Sequence, residues 1–324
     1  MAKTDRNHPQ RAASSDARFS LFEFEAEFPD DASCLDYLVG HLYPEGIPCP
    51  TCGKVTRHHR VTKRPAYACQ FCGRHEYPMK GTIFQGSSTS LHLWFYAIYL
   101  MASTRCGISA KQLEREVGVS YPTALRMFRQ IRSLLTQEDE RWFGTVEVDE
   151  AYFGGQAKWK HASKKSGKTG RPGTGLTERP PVFGMAKRAE AGEPHGKVYA
   201  VAVDSLDQHT LTPKIWYRIL RGSRIMSDEY KAYDALRYYG YKHGRVKHQD
   251  KVYVSGDVHT QTIEGFWALV KRGVSGVYHG VSNKHLQSYL DEYVFRYNNR
   301  AATGRGMFDA FLSRVRKASP EPAS

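Results

Sequence analysis

Apolar residues follow two different rhythms along the chain, and the change between them divides it. In the first half the spacing is helical. Residues 90–103, SLHLWFYAIYLMAS, are apolar nearly all round and predict a buried helix. The stretch GISAKQLEREVGVSYPTALRMFRQIRSLL predicts a short helix from about Ser109 to Val117, broken at Gly118. A second helix opens with Ser120 as its N-cap and Pro122 in its first turn. Leu125, Phe128, Ile131 and Leu135 share its inner face, which turns Tyr121, Thr123, Arg126, Arg129 and Gln130 outward.

From residue 144 the rhythm shortens to that of strands. TVEVDEAYF is followed by PVFGMAKR (181–188), KVYAVAVD (197–204) and SRIMSDEY (223–230), with a short strand near GRVKH. Helices are predicted near QHTLTPKIWYRIL, at KAYDALRYY, and around HTQTIEGFWALVKR. Three consecutive strands, then strands alternating with helices, predict a mixed sheet covered by helices. The fold class expected is α+β with several domains.

Composition adds a partner. The 324 residues are 40% hydrophobic and 12% aromatic, enough for real cores. Lys plus Arg number 47 against 33 Asp plus Glu, a formal charge of +14, which predicts a nucleic-acid partner. No run reaches the roughly 18 apolar residues of a membrane span. Residues 1–18 are polar, without the apolar core of a secretory signal. They predict a disordered leader on a cytoplasmic protein, and six cysteines there suggest metal or packing rather than disulfides.

Four of those cysteines carry metal spacing. CPTCGK holds Cys49 and Cys52, and CQFCGR holds Cys69 and Cys72. C-x2-C-x16-C-x2-C suits one tetrahedral structural zinc, and the intervening KVTRHHRVTKRPAYAC predicts a hairpin, so residues 19–88 predict a zinc-ribbon domain. Cys34 and Cys106 stand apart as packing residues. Residues 105–132 hold six Arg or Lys against two Glu, so the paired helices, within residues 89–138, predict a helix-turn-helix whose second helix enters the major groove.

The strand-rich part concentrates acids where strands end. Asp149 closes the first strand, Asp228 the fourth, and Glu264 lies on the late helix. Neighbouring parallel strands would set the aspartates side by side, with the glutamate supplied from the helix. Three converging carboxylates repel unless cations lie between them, and two Mg²⁺ (or Mn²⁺) ions about 3.5–4 Å apart would clamp an in-line phosphoryl transfer. Glu147 alternates with Asp149 on one strand face, while Glu150 and Glu229 point away. Lys271, seven residues after Glu264 and about two helical turns on, faces the same way, toward substrate phosphate.

With these motifs in order, the chain resembles bacterial insertion-sequence transposases of the ISXO2-like kind, which join an N-terminal zinc ribbon to a DDE, RNase H-like domain. The resemblance spans about Phe28 to Arg300 and rests also on VEVDEAYFGG, SDEYKAYDAL, HTQTIEGFWALVKRGVSGVYH and KHLQSYLDEYVFRYNNR. It implies that Asp149, Asp228 and Glu264 are the catalytic triad of a domain over 139–300, and that Lys271 contacts DNA near the cleaved end. It implies a transposase that binds double-stranded terminal inverted repeats and target DNA, acts as a homodimer or larger assembly, and works at the nucleoid. The insert 156–180, with seven Lys or Arg and one Glu, is expected to embrace DNA, and 301–324 to form a C-terminal helix and tail. The competing expectation is a DNA-binding regulator whose RNase H-like domain is inactive.

Overall fold

Ser20 and Asp30 open the first two helices of the structure, a computed structural model that describes residues 19–153, 181–228, 230–245 and 259–317. The leader 1–18, the insert 156–180, Glu229 and the end of the expected GRVKH strand lie outside the described residues. The chain divides into two units: Met1–Thr104 with Ala110–Ile131 and Ala302–Ser324, and Arg105–Ser109 with Arg132–Ala301.

In the first unit, α1 (Leu21–Glu27) and α2 (Asp31–Leu42) each start with a capping box, Ser20 with Glu23 and Asp30 with Ser33. Five short strands follow: β1 (Pro48–Cys49), β2 (Lys54–Val55), β3 (His58–Val61), β4 (Ala66–Cys69) and β5 (His75–Glu76). The expected hairpin is the antiparallel pair β3–β4, extended by β5, while β1 pairs with β2. The all-apolar segment forms α3 (Leu91–Ser103), capped by the Ser90 hydroxyl. The two-helix stretch forms α4 (Ala110–Val117) and α5 (Tyr121–Ser133). Phe24, Phe28 and Phe95 build an aromatic core with Phe308, which lies on α9 (Gly304–Leu312), the last helix described.

In the second unit, β6 (Thr145–Tyr152), β7 (Pro181–Lys187), β8 (Lys197–Ala202), β9 (Arg224–Ser227) and β10 (Lys242–Arg245) form one sheet in the order β10-β9-β6-β7-β8. The pairs β6–β7 and β7–β8 are antiparallel; β9 runs parallel to both β6 and β10. The sheet is mixed, as its strand–helix order predicts. One face packs under α7 (Gln261–Gly273) and α8 (Asn283–Asn298), where Ile263, Phe266, Val270, Leu290 and Tyr293 are fully buried. The other packs under α6 (Gln208–Arg218) and the segment Lys231–Tyr239, which winds as a 3₁₀ helix.

The edge strand β8 is closed by side-chain amides. Its free backbone groups at Val198, Ala200 and Ala202 bond Asn298, Gln137 and Gln287 at 2.6–3.2 Å. An exposed edge would invite strand addition by another chain, and these amides occupy it. On α8, fully buried Glu292 accepts from Arg296 at 2.8 Å and lies 3.0 Å from the Arg132 guanidinium. The motif KHLQSYLDEYVFRYNNR thus folds as edge cover and buried ion pairs.

Candidate active site and metal centre

The cysteines of the ribbon converge as their spacing predicts. Among the described residues, Cys49, Cys52, Cys69 and Cys72 are the group of three or more possible metal ligands whose donor atoms all lie within 4.8 Å of one another. Each CxxCG turn is closed by a backbone bond at 2.9 Å, Gly53 to Cys49 and Gly73 to Cys69. Both glycines sit at φ near +70°, the left-handed region that side chains resist. The Thr56 hydroxyl, 3.2 Å from Cys69 Sγ, and the Cys72 backbone amide hold that thiol well below its ordinary range, so it offers a ready thiolate. Four sulfurs in this arrangement support structural zinc. Cys34 is buried in α2, whereas Cys106 is exposed, so packing explains the first and not the second.

Strand alternation sorts the acids of β6. Glu147, Asp149 and Ala151 face α7, while Val146, Val148 and Glu150 face the opposite core. The pairing of β6 with β9 matches Thr145 to Arg224 and Glu147 to Met226, and two further residues at that register bring Asp149 level with Asp228. Glu264 is exposed in the first turn of α7. Asp149 lies near enough to Asp228 and Glu264 to feel both charges, although the three carboxylates do not all come within 4.8 Å of one another. Each has its own donor: Trp267 Nε1 donates to Asp149 at 3.1 Å, the Tyr230 amide to Asp228 at 3.0 Å, and the Thr260 hydroxyl to Glu264 at 2.8 Å.

Burial pushes the Asp149 carboxyl up to about 7, and the negative charges of Asp228 and Glu264 add to it against the Glu150 backbone amide. A hard-oxygen cluster in which Asp149 resists ionisation suits divalent cations of the Mg²⁺ type, whose charge favours the carboxylate. Glu150 faces away from this cluster, yet it is not free: burial lifts it to about 8, and the Tyr233 hydroxyl donates to it at 2.7 Å.

Sequence reasoning passed over Trp267, although it stands one helical turn after Glu264 and marks the same side of α7 as the strand. Its ring lies over Gly184, where an added Cβ would come within 2.2 Å of it, and Gly184 pairs with Asp149 across β6–β7. Only a residue without a side chain permits that approach. Glu147, expected as a neighbour of Asp149, is fully buried, with Arg188 Nε at 2.7 Å.

Lys271 is exposed, and with Glu264 and Ala268 it forms the uncovered stripe of α7. On α5, Tyr121, Arg126 and Arg129 are exposed. Thr123 and Gln130 are half-buried, which corrects the outward placement expected for both; Met127 and Ala124, not Leu125, complete the fully buried face. Ser120 meets the Thr123 hydroxyl at 3.0 Å, and Arg126 reaches the Gln85 carbonyl at 3.4 Å. No described helix is long and apolar enough to cross a membrane.

Comparison with known proteins agrees with both halves. A transposase zinc-ribbon domain matches residues 29–75, and an ISXO2-like transposase domain matches residues 142–298. The chain is 32% identical over 278 residues, 83% of its length and 91% of the relative's, to a Halobacterium salinarum protein described as an uncharacterized protein in transposable element ISH50. It is also similar to an uncharacterized transposase-like protein of Haemophilus influenzae, 30% identical over 108 residues, 32% of this chain and 82% of the relative. With ribbon and acid-bearing sheet in one chain, and a relative matched along nearly its whole length, the protein belongs to the ISXO2-like transposase family.

Proposed function

We propose that this chain is a DNA transposase that cuts its element's ends by metal-assisted hydrolysis and joins the freed 3′-OH to target DNA. The observation that carries this reading is the level placement of Asp149 and Asp228 on neighbouring parallel strands, with Glu264 on the helix above and their charges felt at Asp149. The sheet order β10-β9-β6-β7-β8, with β7 antiparallel to β6 and β8, supports an RNase H-like domain over 139–300. Asp149, Asp228 and Glu264 would hold two Mg²⁺ or Mn²⁺ ions, which stabilise charge on the attacking and leaving oxygens of an in-line displacement.

In the first step water attacks the phosphorus at the element's end, the P–O3′ bond breaks, and a 3′-OH is left beside a 5′-phosphate. In the second, that 3′-OH attacks a target phosphodiester; one P–O bond forms as another breaks, so no energy source is consumed. Trp267 fixes the rotamer of Asp149, and Lys271, on the stripe that carries Glu264, holds a backbone phosphate.

The ribbon (19–88) and the helix pair (89–138) bind double-stranded terminal repeats, α5 acting as the recognition helix. The insert 156–180 and the tail within 301–324 complete the division of the chain, and two or more subunits pair the ends in the bacterial cytoplasm, at the nucleoid. Purified protein incubated with Mg²⁺, labelled DNA from the flanks of its own gene and a target plasmid should yield both nicked ends and joined product. Nicks without joining would reduce it to a nuclease, and binding without nicks to a regulator. Arg126→Ala with Arg129→Ala should weaken end binding and lower its salt slope by roughly 1–2, as loss of one or two phosphate contacts does. Unchanged binding and slope would remove α5 from the interface.

A further inference from the structure

The buried carboxylate of Glu147 has no role in the chemistry proposed above, yet it is one of the most heavily bonded side chains in the second unit. We propose that Glu147 is a positioning residue: it pins the start of α7, and with it Glu264, to the strand that carries Asp149. This inference rests on the transposase reading for its catalytic consequence, though not for its geometry.

Helix α7 lacks a cap of its own. Thr260 stands at the N-cap but makes no capping bond; its hydroxyl is turned to Glu264. The first amides of a helix need acceptors from somewhere. Glu147 supplies them from β6, accepting the Thr262 amide at 2.8 Å and the Ile263 amide at 3.0 Å on Oε2. Its other oxygen accepts the Thr262 hydroxyl at 2.9 Å and Arg188 Nε at 2.7 Å, with His259 Nδ1 at 3.3 Å. Arg188 also donates to the His259 carbonyl at 2.9 Å, so it grips the chain just before the helix.

The chemistry of the cluster demands a carboxylate. The amides, the hydroxyl and the guanidinium are donors aimed at two oxygens, and a carboxylate is the side chain that accepts on both without presenting a hydrogen of its own. Negative charge there also complements the positive end of the helix dipole. Ile263, whose amide is held, directly precedes Glu264; Asp149 lies two residues past Glu147 on the same strand face. The spacing between these two acids is therefore set by a side chain that is itself fully buried.

The test uses the full chain with its zinc, labelled DNA from the gene's own flanks as the probe, and three readouts: cleavage turnover, affinity for the ends, and amide exchange over 260–266. Glu147→Gln places an NH2 among donors. It should quicken exchange at Thr262 and Ile263 and lower turnover by about 10–100-fold, with affinity for the ends unchanged. Arg188→Met, which leaves the helix amides capped, should shift turnover the same way by a smaller factor. Loss of affinity in proportion to turnover would mean a merely structural role and overturn the proposal. So would turnover within about threefold of wild type in a folded Glu147→Gln protein. If Glu147→Gln does not fold, Arg188→Met and Thr262→Val decide: each should lower turnover with affinity for the ends unchanged, and turnover unchanged in both folded variants, or affinity lost in proportion, overturns the proposal. Exchange at Thr262 and Ile263 reads the clamp without any cleavage, so a failed clamp is distinguishable from a failed transposase reading, which Asp149→Asn tests on its own.

Discussion

Asp149→Asn should abolish Mg²⁺-dependent cutting of the ends, on the order of 10³-fold or more, while leaving DNA binding intact. The exchange keeps the size of the side chain and an oxygen to accept from Trp267, and it removes the charge that cations need. It should also stabilise the protein measured without added magnesium. The folded-state value of this carboxyl, about 7, lies above its ordinary 3.8, chiefly because it is buried. Its contribution to stability is therefore present below about pH 4 and is lost as the pH rises through 7. At pH 8 the wild type bears a half-buried charge that the asparagine variant lacks, so the variant should melt several degrees higher. Thermal melts at pH 5 and pH 8 read the difference, which should shrink at the lower pH. Glu150→Gln is the control, because Glu150 faces Tyr233 in the opposite core and glutamine still accepts that hydroxyl. Cutting by Asp149→Asn together with none by Glu150→Gln would put the site on the wrong face of β6.

What was legible in the sequence is what depends on neighbours along the chain. Period two in TVEVDEAYF puts Asp149 and Glu150 on opposite faces, and the structure shows them bonded to Trp267 and Tyr233 in separate cores. The CxxCG pairs likewise encode their own turns, since each glycine closes a bond four residues back. Long-range partnerships leave no such trace. Glu147 caps a helix 115 positions later, and the helix start itself gives no local signal, because the Thr260 side chain makes no cap. KHLQSYLDEYVFRYNNR reads as a family marker, whereas in the fold its Gln287 and Asn298 cover the edge of β8 and its Glu292 and Arg296 form a buried pair. A motif can mark a family through packing alone.

Removal of zinc should open the ribbon and leave the sheet unit folded. Strands of two to four residues cannot hold themselves together, and the apolar side chains fully or nearly buried around them are few: Ile47, Cys49, Ala66, Tyr67 and Cys69, with Thr56 a buried polar residue among them. A structural zinc is worth roughly 10–16 kcal/mol in small zinc-binding peptides, more than any packing available here. The acid-bearing sheet has its own two apolar cores, built from other residues. Chelation should therefore release about one zinc per chain and raise the number of fast-reacting thiols from one, the exposed Cys106, to five. Cys34 stays silent, because burial pushes its thiol up to about 12 and shields it. Amide exchange over 47–76 should rise to that of an unfolded segment, while exchange over 145–151 stays slow. Cys52→Ser or Cys69→Ser should act in the same direction, since three thiolates and a hydroxyl bind zinc far more weakly than four thiolates. A zinc content below half an ion per chain in protein purified without chelator, or a ribbon whose amides stay protected once the metal is gone, would show that the four cysteines fold this segment by packing alone.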